Sequence, residues 1–94
     1  MFSVPESAEV VDAGAQLSFT ILFGKSPVLT DSIIMTDSRG SEHECKIVDL
    51  TPKLFTVKLF EGYFSDIYEI GIRRGDEYRL IGKMLLCVKT AGLD

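Results

Sequence analysis

The strongest constraint in this sequence is a period-two alternation of apolar and polar side chains within short segments. Residues 17–23, 54–60 and 67–73 show the pattern most clearly. Successive side chains of a β-strand point to opposite faces of a sheet, so the alternation predicts half-buried strands. No apolar stripe with the i, i+3, i+4, i+7 spacing of an amphipathic helix is sustained along the chain.

Turn-forming residues divide the alternating segments at short intervals. Gly, Pro, Asp and Ser cluster between them, as is typical of tight connections. The predicted strands, lettered A to G in chain order, span about residues 8–12, 16–23, 31–36, 42–49, 54–60, 66–74 and 77–89, the last broken near Gly82. We expect residues 1–7 and 91–94 to be frayed ends. About seven short strands predict an all-β fold, an immunoglobulin-like antiparallel β-sandwich.

Length and composition fit one folded domain. The chain has 94 residues, of which 46% are hydrophobic and 26% charged, and this excludes intrinsic disorder. It lacks a run of about 20 apolar residues for membrane insertion and a basic, apolar signal sequence. We therefore expect residues 1–94 to be a single domain of a longer protein. With two cysteines, the expected location is the reducing cytoplasm.

The same composition argues against several function classes. The net charge of −4 lacks the concentrated basic field of a nucleic-acid binder. The single histidine, His43, has no nucleophile at a recognisable spacing, and no phosphate-binding or nucleophile-elbow motif occurs. His43 and Cys45 offer two ligands on one strand, whereas a zinc site needs about four. We expect neither an enzyme nor a bound cofactor or metal.

Several motifs resemble those of a known family. Residues 13–21 read Ala-Gly-Ala-Gln-Leu-Ser-Phe-Thr-Ile, residues 66–72 read Asp-Ile-Tyr-Glu-Ile-Gly-Ile, and Ile81-Gly82 follows the hairpin. This pattern is similar to that of a filamin-type immunoglobulin repeat, across nearly the whole chain. Lys83-Met84-Leu85 stands where the family has Ser-Pro-Phe, and Ser65 where it has Gly, as in a divergent member. The resemblance implies a cytoplasmic, non-catalytic domain of a scaffold or cytoskeletal protein. Such domains serve as rod segments or bind a partner's extended peptide between strands C and D.

Strand C supports the peptide-binding interpretation independently. Its residues Ile33, Ile34 and Met35 are apolar on both faces of the strand, so one face exposes apolar side chains unless all three are core. An edge strand offers unpaired N–H and C=O groups that an added strand can satisfy. The predicted peptide-binding residues at the C–D edge are Ile33, Ile34, Met35, His43, Cys45 and Ile47. The expected partners are a protein or peptide and neighbouring domains of the same chain.

Alternative functions remain open at this stage. The domain is a passive structural spacer if no surface binds a partner. It is an extracellular adhesion domain if Arg74-Gly75-Asp76, in the predicted F–G hairpin, is presented to an integrin-like receptor; a Cys45–Cys87 disulfide would favour that location. The competing interpretation of the tripeptide is a tight turn, for which Gly and Asp are well suited.

Aromatic residues cluster in the predicted E–F connection. Phe60, Tyr63 and Phe64 surround Gly62 there. We expect Tyr63 or Phe64 to tuck under the connection as a plug; an exposed patch would instead indicate a contact between domains.

Overall fold

The computed structural model describes residues 2–11, 16–21 and 27–89, and these residues are all-β. The strands are β1 (Phe2–Ser3), β2 (Ser7–Val11), β3 (Gln16–Ile21), β4 (Ser32–Thr36), β5 (Glu42–Leu50), β6 (Leu54–Lys58), β7 (Asp66–Arg74) and β8 (Glu77–Lys89). The described residues contain no helix. The predicted all-β class is therefore confirmed.

Strands β2 to β8 correspond to predicted strands A to G. Strands F and G have the predicted bounds, strand B begins at the predicted residue, and strands A, C, D and E differ by one or two residues at an end within the described part of the chain. The predicted extensions of strand A to residue 12 and of strand B to residue 23, and the frayed segment 91–94, lie outside the described residues.

Two details of the strand prediction were wrong. Residues 2–3 are not frayed but form β1, because they pair with Thr20 and Ile21 of β3. Gly82 does not interrupt β8, which runs through it; the irregularity is a register shift opposite Ile70 and Gly71. A bulge of this kind bends a strand without ending it.

All eight strands belong to one hydrogen-bonded sheet with the order β1-β3-β6-β5-β4-β7-β8-β2. Every pairing is antiparallel except that of β2 with β8. Because β1 and β2 are consecutive in the chain, the N-terminal segment reaches both ends of the sheet and curls it towards a barrel. The transfer occurs around Pro5, and the carbonyl oxygen of Glu6 accepts a hydrogen bond from the Leu85 amide, 2.8 Å away.

The core lies inside this curled sheet. Its inward side chains come from all strands for which side chains are described, and the largest fully buried ones are Tyr68, Phe19 and Phe55. The rings of Phe19 and Phe55, on paired strands β3 and β6, have centroids 5.2 Å apart. Burial of one such side chain stabilises a fold by about 2 kcal/mol. The alternating apolar positions of the strands supply these buried side chains, and their burial favours the curled sheet.

Candidate interaction surface

The predicted C–D edge is occupied by the protein's own backbone. Strands β4 and β5 pair with each other over five residue pairs, from Ser32 opposite Lys46 to Thr36 opposite Glu42. Each also has a second neighbour, β7 for β4 and β6 for β5. Neither strand therefore offers an open edge in this structure, and an added peptide would have to displace the ladder between them.

The residues predicted to select the peptide lie in three different environments. Ile33, Met35, Cys45 and Ile47 belong to the buried core cluster. Ile34 is also buried, at 1% exposure, but it is not a member of that cluster. His43 is half-buried in an aromatic cluster described below. The six side chains are thus not gathered on one accessible surface.

Ile34 is buried on the outer side of the sheet. It alternates with the core residues Ile33 and Met35, and its neighbour on β7 is Gly71. A Cβ atom built on Gly71 would overlap the ring of Tyr78, so this ring lies directly over the glycine. We infer that the ring also shields Ile34, since cross-strand neighbours lie only about 5 Å apart. All three apolar positions of β4 are therefore buried, on two different faces.

The largest group of exposed apolar side chains lies on the outer side of β7 and β8. Ile67 and Leu85 are cross-strand neighbours, 56% and 42% exposed. Leu80 and Tyr78, further along β8, are 52% and 44% exposed. These four are half of the eight exposed large hydrophobic residues in the described part of the chain. Soluble proteins scatter such residues singly, so their concentration on one ladder marks a candidate interaction surface.

We call this surface the β7–β8 face. It consists of Ile67, Glu69 and Gly71 of β7 and Tyr78, Leu80, Lys83 and Leu85 of β8. Glu69 and Lys83 are directly opposite each other between its two apolar ends. Beside this charged centre, a shallow open depression is lined by Ile67, Glu69 and Lys83, by Thr36 at the end of β4, and by the turn residues Asp37, Ser38 and Gly40.

The β4–β5 turn that borders the depression is held by Asp37. Its carboxylate accepts hydrogen bonds from the backbone amides of Arg39 and Ser41, at 2.9 and 3.0 Å. The carboxylate is also 2.9 Å from Nε2 of His43. The contact with His43, followed by the two amides, holds the pKa of Asp37 below its usual value. Because three partners satisfy this carboxylate, we regard it as a structural turn residue.

The aromatic residues of the connection between β6 and β7 form the predicted plug. His43 stacks on Phe60 with ring centroids 4.1 Å apart, and Phe64 meets His43 edge-on. Phe64, Phe60 and Tyr63 are half-buried and pack against the core cluster. The buried Tyr68 hydroxyl donates a 2.6 Å hydrogen bond to the Phe64 carbonyl oxygen. Together these contacts fix the connection to the core and leave no exposed aromatic patch among these residues.

The arginine of the Arg74-Gly75-Asp76 tripeptide is engaged in a bidentate ion pair. Its Nε and Nη2 atoms each lie 2.8 Å from a carboxylate oxygen of Asp31, whose side chain is 1% exposed. The Arg74 guanidinium, and then the Val28 amide, hold the pKa of Asp31 below its usual value. Gly75 has a φ of 58°, a conformation that suits the first central residue of a two-residue hairpin. These features give Arg74 and Gly75 structural roles in the β7–β8 hairpin.

Both cysteines are free thiols. Cys45 is buried, and this burial raises its pKa to about 11. Cys87 is partly exposed. Within residues 2–11, 16–21 and 27–89, no cluster of three His, Cys, Asp or Glu side chains is arranged to hold a metal ion. The described part of the chain also has no helix long and apolar enough to cross a membrane.

Sequence reasoning missed the β7–β8 face because it followed the inward positions. The alternation correctly placed Tyr68, Ile70 and Ile72 on one side of β7, which puts Ile67 on the other. An apolar residue at an outward position was the available signal, and Leu85 repeats it on β8.

Comparisons with protein-family models, curated proteins and solved structures find no match to this chain.

Proposed function

We propose that this chain is a non-catalytic, immunoglobulin-like protein-interaction domain whose binding surface is the β7–β8 face. The observation that carries the proposal is the concentration of exposed apolar side chains there. Ile67 and Leu85 form an apolar pair at one end, and Leu80 and Tyr78 form a second apolar group at the other. Covering these side chains would remove apolar area from water, which drives most protein association.

Two features support the immunoglobulin-like type. In that architecture strands B, E and D lie side by side, as do strands C, F and G, and the same neighbours occur here as β3-β6-β5 and β4-β7-β8. The hydrogen bond from Tyr68 to the Phe64 carbonyl resembles the tyrosine corner at the start of strand F. The continuous β4–β5 ladder is where this chain differs from two separate sheets. We propose a cytoplasmic location, where free thiols such as Cys45 and Cys87 persist.

Strand addition between β4 and β5 is the alternative binding mode. It would require the five residue pairs from Ser32–Lys46 to Thr36–Glu42 to open, and the side chains it would use are largely buried. The β7–β8 face requires no such rearrangement, and we therefore favour it.

The test compares partner capture by variants of two exposed surfaces. The wild-type domain, an Ile67→Lys/Leu85→Lys variant and a Val48→Lys/Leu54→Lys variant are used as bait in an extract of the producing cells. Val48 and Leu54 are 46% and 36% exposed on β5 and β6, so they provide a matched control. Because all four side chains are substantially exposed, circular dichroism and thermal melting should show both variants folded.

The proposal predicts that the Ile67/Leu85 variant loses specific partners that the wild type and the Val48/Leu54 variant retain. Retention of every partner by the Ile67/Leu85 variant would contradict it. A different result would indicate that partners bind at the β4–β5 edge. In that case a folded Met35→Glu/Cys45→Glu variant would lose partners that the Ile67/Leu85 variant retains.

A further inference from the structure

The β7–β8 face has a cross-strand register that makes it complementary to itself. Ile67 is opposite Leu85, Glu69 is opposite Lys83, and Gly71, covered by Tyr78, is opposite Leu80. At the first two levels the two strands carry groups that attract one another, apolar with apolar and acid with base. At the third level both groups come from β8, because the Tyr78 ring lies over Gly71 and Leu80 is opposite that glycine.

This register has a geometric consequence for a second copy placed face to face. Consider a two-fold axis that runs parallel to the strands, midway between β7 and β8. Rotation about this axis places β7 of one copy over β8 of the other, so each β7 residue faces the second copy's equivalent of its own cross-strand partner. Ile67 then meets Leu85 of the second copy, and Glu69 meets its Lys83. Because the symmetry repeats every contact, the interface would contain two of each.

The third level fits the same arrangement. The ring of Tyr78 lies over Gly71 and so occupies the β7 side of that level, while Leu80 occupies the β8 side. The axis places Leu80 of each copy on the Tyr78 ring of the other. All four exposed apolar side chains of the face are then covered, and the charged centre is paired rather than buried alone.

We propose that the β7–β8 face binds a second copy of this chain as a two-fold symmetric dimer, with Glu69 of each copy paired to Lys83 of the other. This inference rests on the proposed function and names the occupant of the same surface. Face-to-face sheets cross at about 30°, a rotation that disturbs the central Glu69–Lys83 level least. The net charge of −4 on each copy opposes association at long range, but physiological salt screens it beyond about 8 Å.

Charge exchange tests the pairing directly. Wild type, Glu69→Lys and Lys83→Glu are examined separately and as a mixture of the two variants by sedimentation equilibrium, up to the millimolar range where weak dimers are detectable. In either variant alone the symmetric contact becomes repulsive, and we expect dimerisation to weaken by about tenfold or more. In the mixture, both symmetric contacts of a heterodimer join a basic side chain of the Glu69→Lys variant to an acidic side chain of the Lys83→Glu variant. The heterodimer should therefore form with an affinity close to that of the wild-type dimer.

The mixture also separates this effect from damage within each chain. A single exchange places like charges opposite each other on β7 and β8 of the same chain, which destabilises the ladder slightly. Mixing the two variants cannot relieve this intramolecular repulsion, so recovery of dimerisation in the mixture would report on the contact between chains. Variants that stay monomeric when mixed, or that dimerise alone as well as wild type, would overturn the pairing.

A wild-type chain that is monomeric throughout the concentration range overturns the dimer. The proposed function is judged separately by partner capture. If the wild type is monomeric but the Ile67→Lys/Leu85→Lys variant loses other partners, the proposed function stands without the dimer. If no partner depends on these residues either, both proposals are wrong.

Discussion

The ring of Tyr78 lies directly over Gly71, on the outer side of the sheet. This relationship connects a sequence feature without obvious purpose, a glycine inside a strand, to the burial of Ile34 on the neighbouring strand. Glycine normally weakens a strand, and here it provides the space that the Tyr78 ring occupies.

Substitution of Gly71 by alanine should displace this ring. The new Cβ would occupy the position of the ring's outer atoms, so Tyr78 must rotate away and uncover Ile34. We expect the free energy of unfolding to fall by about 1 kcal/mol, as measured by chemical denaturation. In a Tyr78→Ala background the same substitution should cost nothing further. Equal costs in both backgrounds would show that the ring is not the cause.

The Arg74–Asp31 pair should contribute more to stability than the neighbouring Arg73–Glu42 pair. Arg74 makes two hydrogen bonds to a carboxylate that is almost completely buried, whereas Arg73 makes one, of 3.0 Å, to the exposed Glu42. Removing one partner of a buried ion pair leaves the other charge uncompensated, while exposed pairs contribute little. We expect Arg74→Gln to lower the melting temperature by several degrees and the matched Arg73→Gln variant to change it far less. Similar melting temperatures for the two variants would contradict this assignment.

Stability should decrease in acid. Hydrogen bonds hold the pKa values of Asp31, Asp37 and Asp66 below their usual range, with Arg74, His43 and the Ser38 amide as the respective largest causes. A carboxyl group whose pKa is lower in the folded state stabilises the fold above its unfolded pKa, about 3.9, and loses that contribution as the pH falls below it. Urea denaturation should therefore show a fall in the free energy of unfolding below about pH 4. The fall should be smaller in Asp31→Asn, and an unchanged acid slope in that variant would argue against the role of Asp31.

The two thiols should differ in reactivity. Cys45 is buried with its pKa raised to about 11, so at neutral pH it is a protonated and inaccessible thiol. Cys87 is partly exposed on β8. Alkylation of the native protein, followed by mass spectrometry, should modify Cys87 first and leave Cys45 unmodified until denaturant is added. Rapid native labelling of Cys45 would show that the β4–β5 region opens, as strand addition there requires.

The strands were predictable because their signal is local. Alternation and turn residues gave β7 and β8 their observed bounds. Buried core side chains alternate with outward ones at Tyr68 and Ile70 of β7 and at Met84 and Leu86 of β8. The two-residue strand β1 was missed because Phe2 and Ser3 are too few to show a period. Their strand character depends on pairing with Thr20 and Ile21, which are distant in sequence.

The proposed binding surface was less predictable because it depends on pairing between distant segments. Nothing in the sequences of β4 and β5 states that they pair with each other, and this ladder removes the expected edge. The apolar character on both faces of β4 was correctly recognised, but Tyr78, more than forty positions away, is what lies beside Ile34. Exposure at Ile67 could be predicted from the alternation along β7, but its position opposite Leu85 follows only from the register of β7 and β8.

Site-specific photo-crosslinking shows directly whether the β7–β8 face contacts other proteins. A photoreactive amino acid replaces Ile67 in one preparation and the matched exposed residue Leu54 in another, and both are irradiated in an extract of the producing cells. We expect discrete crosslinked products from position 67, including the homodimer, and either no products or different ones from position 54. Crosslinks from position 54 alone, or identical products from both positions, would contradict the β7–β8 face as the interaction surface.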